Sequence, residues 1–127
     1  MAGRLIALGD IHGCALALQA LVDVIDPGPE DLLVPLGDYI DRGPDSRGVL
    51  EQMLALQKRC LLVPLLGNHE EMVLKARFDD GWYSFWLTYG KPTLASYGPD
   101  AGLEAIPAAH WQFLESCRKF YETETHI

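Results

Sequence analysis

The sequence predicts an α/β domain, on three observations: three short apolar runs, amphipathic helical patterns between them, and a glycine with polar residues closing each run. The runs cover residues 5–8, 32–36 and 61–66, lack the alternation of half-exposed strands and have the length of buried strands. Pro35 and Pro64 count against ordinary central strands, because proline cannot donate to a ladder and favours edges, first positions or bulges. Leu18, Leu21, Val22 and Ile25 fall at i, i+3, i+4 and i+7, the stripe of a first helix. Val49, Leu50, Met53 and Leu54 mark a second, with Asp45-Ser46 as its start. A third follows Asn68 with Met72, Val73 and Ala76 inward, so residues 1–77 spell β-α-β-α-β-α, the alternation of a parallel sheet with right-handed crossovers.

After Arg77 the texture changes. Phe78, Trp82, Tyr83, Phe85, Trp86 and Tyr89 crowd together, and Gly90, Pro92, Gly98, Pro99 and Gly102 then punctuate what reads as loop. Residues 78–127 are therefore expected to be a cap-like insertion and a final helical segment around 110–120, all within one domain spanning 1–127.

A chain of 127 residues fits one core. The formal net charge of −8 offers no basic field for nucleic acid. It also sits awkwardly with an anionic phosphate substrate unless bound cations neutralise carboxylates. Cys14, Cys60 and Cys117 are widely spaced, which suggests neither a disulfide framework nor a zinc ribbon and points to a reducing cytoplasm. No apolar run approaches a membrane span or a signal-peptide core, so a protein that is neither exported nor membrane-bound is expected.

The polar clusters closing the runs are Gly9-Asp10-Ile11-His12-Gly13, Gly37-Asp38-Tyr39-Ile40-Asp41-Arg42-Gly43 and Gly67-Asn68-His69-Glu70. Sites in open α/β sheets form beyond the carboxyl ends of strands, so three loops distant in sequence can meet in one crevice. Asp10, His12, Asp38 and Asn68 are suitable ligands for divalent ions, with Asp38 able to bridge two. Two ions about 3.5–4 Å apart would clamp a phosphate and acidify a water for in-line attack. Arg42 could fork onto phosphate oxygens. His69 could protonate the departing alkoxide, held in orientation by Asp41.

As an ordered set, D-x-H-G, G-D-x-x-D-R-G and G-N-H-E, these residues resemble the calcineurin-like metallophosphoesterase superfamily, in the branch of serine/threonine protein phosphatases and symmetrical diadenosine tetraphosphatases. The resemblance implies a β-sandwich flanked by helices, metal ligands at Asp10, His12, Asp38 and Asn68, a phosphate binder at Arg42, and a proton-donating pair of His69 and Asp41. It implies two divalent ions, for which the mixed donors suit manganese, iron or zinc, and a phosphoprotein or dinucleoside polyphosphate substrate. The segment from Gly90 to Gly98 (GKPTLASYG) looks like the one that follows the third motif in bacterial members. Two further ligand histidines of that family, in His-Ala or His-Gly and Gly-His-Thr turns, are not found. The chain therefore resembles the N-terminal part of a longer enzyme, incomplete at its C-terminus. The alternative reading is a fragment that binds metal or phosphate without turnover.

Blander readings accompany several residues. The strand-end clusters could be turn chemistry, and Asp41-Arg42 a surface ion pair. The aromatic cluster is expected to be packing rather than substrate recognition, and His110 a packing or surface residue. Cys14 is expected as a small buried thiol under the first helix. His126 is the nearest substitute for a missing ligand, in a position that favours loop or edge.

Overall fold

The computed structural model describes residues 3–120, so His126 lies outside the described residues. In chain order it comprises β1 (Leu5–Leu8), α1 (Ala15–Ile25), β2 (Leu32–Pro35), α2 (Ser46–Gln57), β3 (Leu61–Leu62), α3 (Asn68–Ala76), α4 (Asp80–Ala95), a 3-10 turn (Leu103–Ala105) and α5 (Ala108–Ser116). The strands form one sheet in the order β1-β2-β3, all parallel, as the alternating pattern requires; only β2 is the buried strand expected, since β1 and β3 are edges of the described sheet and leave Leu5 and Leu61 exposed. Leu5 faces Leu32 and Leu8 faces Pro35; Leu32 faces Leu61.

The prolines are tolerated because of where they fall. Pro35 ends β2, and its carbonyl accepts from Leu65 N at 2.9 Å, so only its absent donor is lost. Pro64 lies past β3, which is two residues long and not six. Of the sandwich implied by the resemblance, the described residues hold this sheet and an isolated parallel bridge between Leu65 and Arg118. Arg118 donates to Pro64 O at 2.9 Å and accepts from Leu66 N at 2.7 Å. Pairing beyond β3 thus begins at Arg118.

The helices follow their stripes except at Leu21. Leu18 and Val22 bury one side of α1, while Leu21, at the margin of that stripe, stays exposed with Leu16 and Val24. Asp45 caps α2, its Oδ1 accepting from Gly48 N at 2.8 Å. Val49, Leu50 and Met53 carry α2 into a core completed by Leu33, Ile40, Val73, Trp86, Phe113 and Leu114. β1 is anchored at its start by Arg4, whose backbone and guanidinium nitrogens grip Asp31 just before β2. That contact holds the Asp31 carboxyl well below the ordinary carboxylate range.

Two expectations fail here. The stretch from Gly90 to Gly102 reads as loop in the sequence, yet α4 runs through both Gly90 and Pro92 to Ala95. Gly90 is not a breaker but a slot: a Cβ there would collide with the Trp86 indole lying across it. Cys14 was expected to be buried under α1 but is exposed at its N-cap, where the chain has not yet turned onto the sheet.

Candidate metal centre

Backbone hydrogen bonds lace the loops after β1 and β2 together. Ile11 N and His12 N both donate to Asp38 O, at 3.3 and 2.8 Å, and Gly13 N donates to Tyr39 O at 2.8 Å. Buried Tyr39 joins the second loop to the third, its hydroxyl donating to Leu65 O at 2.6 Å. Gly37, at φ 111°, lets the chain pass within contact of Gly67, where a Cβ on Gly37 would meet Gly67 N and Cα at 2.7 Å.

The knot is Glu70, fully buried near the start of α3. Its Oε1 accepts from Asp38 N at 2.6 Å and Gly67 N at 3.0 Å; its Oε2 accepts from Tyr39 N at 2.9 Å and Ile40 N at 3.4 Å. One carboxylate thus fixes the backbone of two loops. Burial pushes its pKa up to about 7 against the pull of those N–H donors.

Within this frame the donor atoms of Asp10, His12 and Asp38 lie within 4.8 Å of one another. His12 Nδ1 is 3.1 Å from Ile40 O; a carbonyl only accepts, so Nδ1 carries the proton and Nε2 keeps its lone pair. That is the second-partner arrangement typical of a metal-bound imidazole. Asp38 Oδ1 accepts from His69 N at 3.1 Å, leaving its other oxygen free. Two carboxylates and an imidazole fit a divalent cation. Asn68 is exposed as the first residue of α3, between Gly67 and His69 in sequence.

Four of the five non-glycine residues with positive φ among the described residues are His12 (42°), Asp38 (56°), Asp41 (75°) and Arg42 (67°). Each such conformation costs about 1–3 kcal/mol. Aspartate and histidine tolerate this region better than most residues, so the argument against turn chemistry as their whole purpose is the gathering of four such residues, Arg42 among them, in the two loops that form the cluster.

His69 is buried and its Nδ1 lies 2.8 Å from Asp41 Oδ2. A carboxylate only accepts, so Nδ1 donates and Nε2 is the free ring atom. The His69 ring packs edge-on to His12, with centroids 4.8 Å apart, which sets the pair beside the Asp10–His12–Asp38 cluster. Asp41 is fully buried and bonded to His69, so it is no surface partner of Arg42. Arg42 is exposed, with its guanidinium 5.7 Å from the centroid of the Tyr89 ring. Tyr89 in turn packs on His69 and Phe85, and Phe85 on Trp82, an aromatic row along α4 that starts at the site. Part of the aromatic cluster is thus core, as expected, and part borders the candidate centre.

Sequence reasoning quoted Glu70 without a role, although its place three residues into a helix after a glycine cap is the capping-box spacing. It missed Trp86, Thr93 and Ser46, all buried around Asp41. His110 is a packing residue, bonded to the Tyr97 hydroxyl at 2.6 Å and lying 3.3 Å from Glu51.

The family model for calcineurin-like phosphoesterases matches residues 3–123. The chain belongs to the calcineurin-like phosphoesterase family. Within that family it is 42% identical over 84 residues to serine/threonine-protein phosphatase 1 of Salmonella typhimurium, a match covering 65% of this chain and 37% of that protein. It is 41% identical over 75 residues to the symmetrical bis(5'-nucleosyl)-tetraphosphatase of an Acidovorax species, covering 58% of this chain and 26% of the relative. A crystal structure of a protein provisionally assigned as a diadenosine tetraphosphatase superposes with a TM-score of 0.65 at 27% identity, over 92% of this chain and 44% of that one. The chain spans less than half the length of each of these calcineurin-like relatives.

Proposed function

We propose that this chain carries the centre of a metal-dependent phosphoesterase that hydrolyses a phosphate ester. The observation that carries this reading is the meeting of two groups: the Asp10–His12–Asp38 donor cluster and the His69–Asp41 pair, joined by the contact of the His12 and His69 rings. Asp10, His12, Asp38 and Asn68 would hold divalent ions, two in the full site. Manganese, iron and zinc all suit these donors. When bound, such ions supply Lewis acidity toward phosphate oxygens and lower the pKa of water.

The chain's own residues do the rest. Arg42, exposed and poised over Tyr89, would fork onto the non-bridging oxygens and hold the phosphate in register. As water attacks phosphorus the bond to the leaving oxygen breaks, and that oxygen needs a proton. His69 as imidazolium gives it from Nε2, while Asp41 on Nδ1 holds the ring in place.

The substrate class we infer is a phosphoprotein or a dinucleoside polyphosphate, after the names of the relatives. We read residues 1–127 as one domain, because Trp86 and Thr93 of α4 bond into the site built by the first 77 residues. Three free cysteines support a reducing cytoplasm. No helix among the described residues is long and apolar enough to cross a membrane. The acidic balance argues against nucleic acid as a partner.

The test is turnover of the full chain with added manganese on nitrophenyl phosphate, a phosphopeptide and a dinucleoside tetraphosphate. His69→Asn should lower turnover roughly 10²–10⁴-fold with metal content unchanged by elemental analysis. Loss of metal in that variant would remove His69 from its assigned role. Tight metal binding with no turnover of any substrate would overturn the enzymatic reading in favour of a binding fragment.

A further inference from the structure

We infer that Trp86 and Thr93, on a helix that carries none of the motif residues, are positioning residues that aim His69 by fixing the Asp41 carboxylate. The inference rests on the phosphoesterase reading for its kinetic consequence, though not for its geometry.

Asp41 is fully buried and both its oxygens are taken. Oδ2 receives His69 Nδ1 at 2.8 Å and Trp86 Nε1 at 2.9 Å. Oδ1 receives Thr93 Oγ1 at 2.6 Å. Counting protons fixes the direction of every bond around it. The single proton of Thr93 goes to the carboxylate, so Thr93 Oγ1 accepts from Asp41 N at 2.9 Å, and Ser46 Oγ, at 3.0 Å, donates to it. Thr93 therefore clasps Asp41 at both its backbone and its side chain. That clasp holds a residue whose φ of 75° is otherwise unfavourable.

A carboxylate bonded only to an imidazole could rotate about its terminal torsion and offer either oxygen, since that torsion is broad. The donors from Trp86 and Thr93 arrive on different oxygens and remove this freedom. Trp86 is itself fully buried, with its indole laid across Gly90. The direction of His69 Nε2 is then set from α4, across 45 and 52 residues of sequence.

If Trp86 and Thr93 merely satisfied a buried carboxylate, removing them would lower stability without regard to the substrate. If they aim His69, the loss depends on how badly the leaving group needs a proton. The test uses Trp86→Phe, Thr93→Val and the conservative Thr93→Ser in the full chain with manganese, on phenyl phosphate and nitrophenyl phosphate. We expect kcat for phenyl phosphate to fall roughly 10–100-fold in the Phe and Val variants, with a much smaller fall for nitrophenyl phosphate. Thr93→Ser, which keeps the hydroxyl, should recover most of the rate. Equal losses on the two substrates, or none, would overturn the proposal.

An independent arm needs no turnover. In metal-free protein labelled with nitrogen-15 histidine, at one fixed pH, the wild type should show a slowly exchanging His69 Hδ1 resonance and a single ring tautomer. Trp86→Phe and Thr93→Val should broaden or lose that resonance while the fold, followed by thermal unfolding, persists. Unaltered His69 ring signals in both variants would overturn the proposal. Should the wild type hydrolyse neither ester, the resonance arm still decides the positioning role, and the phosphoesterase reading stands or falls on the phosphopeptide and the dinucleoside tetraphosphate.

Discussion

At the scale of single residues the most informative side chain is Glu70, which binds no substrate in our reading and yet holds four backbone N–H groups of two loops. Leaving buried donors unsatisfied costs about 1–3 kcal/mol each. Glu70→Ala removes both acceptor oxygens, and with them all four bonds, and should lower stability by at least about 3 kcal/mol, even with water entering the vacated space. Glu70→Gln keeps one acceptor oxygen, and hence two of the four bonds, while relieving the desolvation that burial imposes on the carboxylate. It should fall between wild type and Ala in thermal unfolding, and a Gln variant as stable as wild type would show that the acceptors do not matter. That Asp10, His12 and Asp38 converge, and that His69 meets Asp41, was legible because these residues sit in short motifs beside glycines at strand ends. Trp86 and Thr93 were not, since nothing within a few residues of either one signals a bond to a carboxylate half the chain away.

Among the elements, α1, α2 and α3 were legible because their apolar stripes and the Asp45 cap are local signals, and β1 and β2 because parallel strands are apolar throughout. α4 was not, because Gly90 and Pro92 are breakers by propensity, whereas in the structure the Trp86 indole, one turn back on the same helix, lies across Gly90. This difference yields a prediction of sign. In an exposed helix Gly→Ala stabilises by about 1 kcal/mol. At Gly90 the added methyl would enter the Trp86 indole, and overpacking a core costs about 1–3 kcal/mol. The clash should win. Gly90→Ala is expected to lower the unfolding temperature and, through displaced Trp86, to disturb Asp41 as well. A more stable Gly90→Ala variant would mean that Trp86 can move aside freely, and would weaken the view of α4 as the rigid support of the site.

For the whole molecule the governing quantity is charge: 18 acidic residues against 10 basic ones, with Asp10 and Asp38 converging beside His12. A cation bound there should stabilise the native state through mass action, because the unfolded chain has no preformed cluster. At a hundredfold excess over Kd the gain is about 2.7 kcal/mol, which for a domain of this size corresponds to a rise in Tm on the order of 10 °C. Screening of general acidic repulsion would also raise Tm, but it needs salt at tens of millimolar and is indifferent to the ion's identity. The two are separated by comparing submillimolar manganese with sodium chloride of equal ionic strength, in wild type and in Asp38→Ala. The expected outcome is a saturable rise with manganese alone, reversed by a chelator and largely lost in Asp38→Ala. A rise of equal size in that variant would locate the cation elsewhere on the acidic surface. Sodium chloride matching manganese would show that the converging carboxylates gain from screening and not from coordination.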